Sequence, residues 1–309
     1  MIQSELFIFN VGKGDGKKSI AVHSKAVATK SAYFWALMNN GMAESRERTV
    51  EYTDIEPEDF ARFVEYAYRH DYTTPSWVHE KTHMEDQALP VQETVIAIRE
   101  PITRSIVDIG PILIDPHRQP SSTSRLGQPS LENRWENWGS DKISKKKKKS
   151  KPEGVVNLRA GFNKLSYLTS SEPQAAMLAA FKPQYNTAVD QDFTPVFLAH
   201  ARLYTFACMR GVDPLKRLTL HKLHQTLVGF QLYMRRASDI VELARYAYRQ
   251  GDDRKDDGTK DELRQLVLEY IVCEVTTFGK HPAFLDLLHE GGEFVVDFWS
   301  LAYKEEFEA

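Results

Sequence analysis

Cysteine is nearly missing from this chain of 309 residues; Cys208 and Cys273 are the only two. Both fall in apolar helical patterns, so they read as reduced core thiols of an intracellular compartment rather than as a disulfide framework. Long apolar runs are lacking as well. No stretch reaches the roughly 20 residues that a bilayer-spanning helix needs, and the first residues lack the charged-then-apolar order of a signal peptide. The net charge of −3 gives no global drive toward nucleic acid or membrane. The apolar fraction of 42% is slightly under the globular average, which predicts that some of the chain stays unpacked. The expected setting is nucleus, cytoplasm or both, with no membrane partner.

The signatures of chemistry are also missing. Gly12 to Ser19 reads GKGDGKKS and hints at a phosphate loop, but the spacing fails. A glycine would have to stand at Val11, a second lysine precedes Ser19, and a strand follows where a helix should open. A hairpin turn is predicted instead. His221 and His224 sit three apart on a predicted helix, yet no further ligand has suitable spacing, so they are expected to be surface or half-buried and to hold no metal. No nucleophile elbow, zinc-protease motif or dinucleotide fingerprint occurs. Catalytic residues and cofactors are therefore predicted to be none.

What the chain does have begins at Val22. The run VHSKAVATKSAYFWAL to Leu37 reads as a strand end entering two short helices. Ser24 and Ser31 are placed to cap them, and Val27, Tyr33, Phe34 and Leu37 supply apolar faces. Thr49 to Tyr52 follows as a short strand. Pro57 then opens a helix in the one turn where a missing N–H costs nothing. Phe60, Phe63, Val64, Ala67 and Tyr68 recur along it as a single stripe. Upstream, Leu6 to Val11 and Lys18 to Val22 form an opening hairpin. In this order, residues 5 to 72 resemble the BTB/POZ domain, whose signature is a His at a strand end, an apolar helix, then Ser-x-Tyr-Phe. His23 takes the place of the family's structural histidine.

Composition changes after Tyr72. Up to Tyr185 the chain is rich in Pro, Ser and charge without helical period, and is too long for an ordinary loop. Within it, Val91 to Ile114 is β-branched but broken by prolines, which allows short edge strands only; Trp135 and Trp138 form a second apolar spot. Helical pattern returns with Thr194–Pro195 and again with Asp213–Pro214, each a cap followed by a first-turn proline. In fungal BTB proteins a similar helix pair closes the domain. The resemblance thus implies an α+β fold, a small BTB/POZ-like sheet capped by helices and split by an insertion. Its parts are strands and first helices in residues 1–74, a mostly disordered Lys-rich insertion in 75–190, closing helices in 191–230 and a helical extension in 231–309.

The resemblance implies a non-enzymatic protein-interaction module. Family members that bind a cullin carry an apolar-x-Glu motif after the second signature helix, and Met42-Ala43-Glu44 fits it by type and position, with both side chains expected to be exposed. An adaptor to a cullin-type ubiquitin ligase is one reading. Another is a nuclear regulatory or scaffold protein whose basic run, with Lys145, Lys146, Lys147, Lys148, Lys149 and Lys151, serves import or contacts nucleic acid; no reading module accompanies that run. A third is an enzyme, which would show a polar, convergent pocket. Many BTB domains dimerise through an extra N-terminal helix and strand. Here only four residues precede Glu5, so a homodimer by that route is not expected.

Overall fold

Period-two alternation sets the first strand of this computed structural model, which describes residues 3–80, 153–168, 181–251 and 258–307. Strand β1 (Leu6–Val11) turns Phe7, Phe9 and Val11 into the core and leaves Leu6 and Ile8 outside. Strand β2 (Lys18–His23) pairs with it antiparallel, Leu6 opposite His23 and Val11 opposite Lys18. Between them lies a 3-10 turn at Gly14–Gly16, so the glycine-rich segment is a hairpin turn. Gly12 sits at φ 96°, and a Cβ there would stand 3.1 Å from Cγ of Pro57; both conditions select glycine.

Strand β3 (Thr49–Tyr52) flanks β1 on its other side and runs parallel to it. Parallel neighbours require a crossover, supplied by α1 (Ser24–Ala28), α2 (Ala32–Asn39) and α3 (Ala43–Glu47). Ser31 caps α2, accepting the Phe34 N–H at 3.3 Å. Ser24 caps nothing: the N-cap of α1 is His23, and the Ser24 N–H donates to the Glu5 carbonyl at 2.9 Å. Helix α4 (Pro57–Arg69) buries Phe60, Phe63 and Ala67. Tyr66 joins that stripe and Tyr68 leaves it. The Tyr68 hydroxyl instead lies 2.8 Å from both the N–H and Nδ1 of His23, fastening α4 to the end of β2.

Strand β4 (Val78–His79) pairs antiparallel with β5 (Gln191–Asp192), and the Glu80 N–H donates to the Asp190 carbonyl at 2.8 Å. Helix α5 (Glu153–Asn163) falls inside the stretch expected to be disordered. Its Phe162 is buried, with the ring 5.1 Å from that of His224 and 5.8 Å from that of Tyr270. The described residues belong to one unit, Met1–Asp86 with Pro152–Ala309; the other, Gln87–Lys151, lies outside them. So do Val91 to Ile114, Trp135 and Trp138.

Among the described residues seven α-helices follow: α6 (Thr194–Met209), α7 (Asp213–Gly229), α8 (Ala237–Gln250), α9 (Glu262–Cys273), α10 (Val275–Phe278), α11 (Pro282–Glu290) and α12 (Glu293–Phe307). Thr194 does not cap α6; its N–H and that of Phe193 donate to the carboxylates of Asp192 and Asp239 at 2.8 and 2.9 Å. Two negative groups at a helix start are favourable there. Likewise Asp213 is inside α7, whose N-cap is Val212.

Buried apolar side chains form two clusters. In the first, Phe9 is ringed by Phe34, Tyr52 and Phe60, with centroids at 6.4, 5.4 and 4.8 Å. Phe206 of α6 closes on Phe63 at 5.0 Å, joined by Leu203, Ala207, Leu215 and Leu218. The second cluster holds the C-terminal helices together with Phe197 and Tyr204 of α6 and Leu223 and Leu227 of α7. Helices α6 and α7 thus serve both clusters, which requires apolar residues around most of their girth. The fold is α+β. Cys208 and Cys273 are half-buried and form no disulfide.

Candidate partner-binding face

The corner between α2 and α3 is built from one buried and several outward side chains. Phe34 is fully buried and stacks on Phe63, centroids 4.9 Å apart at 16°. That contact fixes the rotation of α2 and turns its opposite side to solvent. The chain reverses at Gly41, φ 76°, and Met42 becomes the N-cap of α3. Its N–H donates to Asn40 Oδ1 at 2.9 Å, and the Ser45 hydroxyl donates to its carbonyl at 2.9 Å. At the far end Arg48 adopts a left-handed conformation, φ 54°. Its carbonyl accepts the Ile8 N–H at 2.8 Å, which ties α3 to the sheet.

The motif residues stand as follows. Met42 is 63% exposed. Glu44 is half-buried rather than exposed, because it sits inside a one-turn helix where a polar loop was expected. Its carboxylate makes no hydrogen bond or ion pair with another described residue, so it is available as an acceptor. Arg48 beyond it is engaged by Glu5. Trp35, to which the sequence reading gave no role, is 60% exposed; its one signal was a large aromatic beside a buried Phe34. The lysines Lys145, Lys146, Lys147, Lys148, Lys149 and Lys151 lie outside the described residues.

The other candidates have structural roles. His23 is half-buried and bonded to Tyr68 as described. His224 is fully buried, not at the surface. Its Nε2 donates to the Phe162 carbonyl at 2.7 Å and its Nδ1 accepts from Gln225 at 3.3 Å, while burial lowers its pKa. Both nitrogens are spoken for by α5 and α7, which leaves no lone pair for a metal. A polar cleft of about 500 Å³ lies between Asp54, Asp59, Arg202, Tyr204, Tyr246 and Asp261. Its acidic groups are bonded to neighbours: Asp59 pairs with Arg62 at 2.5 Å, Asp54 with Arg210 at 2.9 Å, and Asp261 accepts from the Tyr204 hydroxyl at 2.5 Å. These pairs brace helices against the sheet.

The hairpin, the parallel third strand, the helical crossover and the aromatic α4 together define a class of small α+β interaction folds. Comparison with protein families agrees, since residues 8–94 match the family model of the BTB/POZ domain. This chain carries a BTB/POZ domain, and such domains are generally protein-interaction modules rather than enzymes. No curated protein and no solved structure gives a significant match. No described helix is long and apolar enough to cross a membrane.

Proposed function

We propose that the chain is an adaptor that recruits partners to a cullin-type ubiquitin ligase, binding the cullin through Met42 and Glu44. The observation that carries this reading is the pairing of an exposed thioether with an unpaired, half-buried carboxylate two residues on, both on a corner pinned by its own hydrogen bonds. A thioether is soft enough to fill a shallow apolar pocket. A carboxylate with no internal partner gains from a donor that reaches it in a desolvated interface. Neither role needs any change in the rest of the domain.

The test is binding of the full chain to a purified cullin N-terminal domain, measured by calorimetry. The double variant Met42→Ala with Glu44→Ala is expected to lose about 2–5 kcal/mol of binding, as for an anchor and a desolvated charge removed together. Its melting temperature should stay near that of the wild type, since the methionine is exposed and the carboxylate holds nothing in the fold. Equal binding by the double variant, or none by the wild type, removes the ligase role and leaves an interaction module with another partner.

A further inference from the structure

Helix α12 is apolar on two sides. Phe294 and Phe298 face inward, with ring centroids 5.2 Å from Tyr248 and 5.5 Å from Phe284. Asp297 goes in with them, accepting the Tyr248 hydroxyl at 3.0 Å and pairing with Lys260 at 3.2 Å. These contacts fix the rotation of the helix. Val296, Trp299 and Tyr303 are left on the outward side, at 55%, 66% and 48% exposure. Trp299 is the most exposed large apolar side chain among the described residues. At about 100° per residue the three fall within about 60° of one another. The helix thus buries an acid and leaves a Val-Trp-Tyr stripe in water, the reverse of an ordinary surface helix. An exposed apolar stripe rimmed by polar residues marks an interaction surface.

We propose that α12 pairs with α12 of a second copy of this chain, antiparallel, about a two-fold axis beside Trp299 and Ser300. The stripe matches itself in that arrangement. Val296 of one copy lies opposite Tyr303 of the other. Each Trp299 lies opposite the small, exposed Ser300, which leaves room for the two indoles to stack near the axis. The Ser300 hydroxyl already donates to the Val296 carbonyl at 2.7 Å, so its burial leaves no donor unpaired. Charge chooses the antiparallel sense. Glu293 and Lys304 are both exposed. Eleven residues apart, they are three turns and only about 20° out of line, so they flank the stripe on one side at opposite ends. Antiparallel pairing brings Glu293 of each copy within about one turn of Lys304 of the other, whereas parallel pairing sets like charges together. The three apolar side chains offer about 300–400 Å² per copy, roughly half of a standard interface. A reversible dimer with a Kd of about 1–100 µM is expected.

Helix α12 lies outside residues 8–94, which match the BTB/POZ family, and the pairing does not depend on the cullin reading. The experiment is sedimentation equilibrium of the full chain at roughly 1–200 µM, with a melting curve for each variant. The wild type is expected to pass from monomer to dimer across that range. Trp299→Gln is expected to dimerise at least about tenfold more weakly, with its melting temperature near the wild type. Lys304→Gln tests the sense of the pair. Antiparallel pairing makes it weaker by at least about twofold, and parallel pairing makes it tighter. A wild type that stays monomeric overturns the proposal and means that something other than a second copy covers the stripe. Wild-type dimerisation in Trp299→Gln overturns it by placing the interface elsewhere. Unchanged or tighter dimerisation in Lys304→Gln overturns the antiparallel arrangement. If Trp299→Gln melts early, Val296→Ser takes its place in the comparison, with the same expected weakening and the same overturning result.

Discussion

At the scale of single residues, His200 shows how burial writes a pH dependence into the fold. Its Nδ1 lies 2.6 Å from the Tyr72 hydroxyl, and its Nε2 is buried without a partner among the described residues. Burial, with Lys222 and Arg62 nearby, pushes its pKa down to about 3. An unfolded histidine titrates near 6.5, so between those values the unfolded chain binds more protons and stability falls as pH falls. The expected loss from this residue is about 2–3 kcal/mol between roughly pH 7.5 and pH 4.5. His224, whose pKa burial also lowers, adds in the same direction. Urea denaturation at the two pH values checks this: His200→Asn should show a shallower fall than the wild type, and an equal slope would rule the assignment out. Lys222 is the charged neighbour that keeps the site in place. Its ammonium donates to the Tyr72 carbonyl at 2.6 Å and pairs with Asp71 at 2.5 Å.

Among the elements, α5 is the one whose contribution most exceeds its sequence signal. Phe162 reaches His224 and Tyr270 from it, and the Phe162 carbonyl satisfies His224. Phe162→Ala is expected to destabilise the chain by about 3–5 kcal/mol, as for a buried aromatic removed from a packed core; a shift in urea midpoint with unchanged slope would confirm it. Periodicity made the hairpin, β3, α4 and the C-terminal helices legible, because each has an apolar stripe with turn residues at its ends. α5 carries Gly154 and Gly161 within eleven residues, which lowers helix propensity, and its stabilising contacts come from α7 and α9 far along the chain. Capping was half legible. Ser31 holds the Phe34 N–H as its type suggests, whereas at Ser24 the strand continues one residue further and the backbone of Glu5 takes the N–H. The Met-x-Glu pair could be placed from its pattern. The one-turn helix that half-buries Glu44 could not, since five residues carry no period.

For the molecule as a whole, the shared helices α6 and α7 decide what can fold alone. A fragment of residues 1–76 would lack Leu203, Phe206, Ala207, Leu215 and Leu218, all fully or almost fully buried in the cluster around Phe9. Each such leucine or phenylalanine contributes about 1.5–3 kcal/mol by burial, against a net domain stability of roughly 5–15 kcal/mol. The fragment is expected to show no cooperative melting transition by circular dichroism; a sharp, monomeric transition would refute the shared-core picture. The cluster around Phe9 is therefore legible in the first 72 residues but is filled out by side chains of α6 and α7.

That arrangement has a consequence on the ribosome. Tyr72 and His200, which meet in the finished structure, are separated by 128 residues. At about 5–20 residues per second of synthesis, the interval between them is roughly 6–26 seconds. Throughout it, Phe34, Phe60 and Phe63 have been made, but Phe206 has not. The growing chain therefore lacks Phe206 for far longer than the microseconds in which chains of this size collapse. During that time the face that later presents Met42 rests on an unfinished core, so a nascent or prematurely terminated chain is a natural client for chaperones before it is a binding partner for anything else.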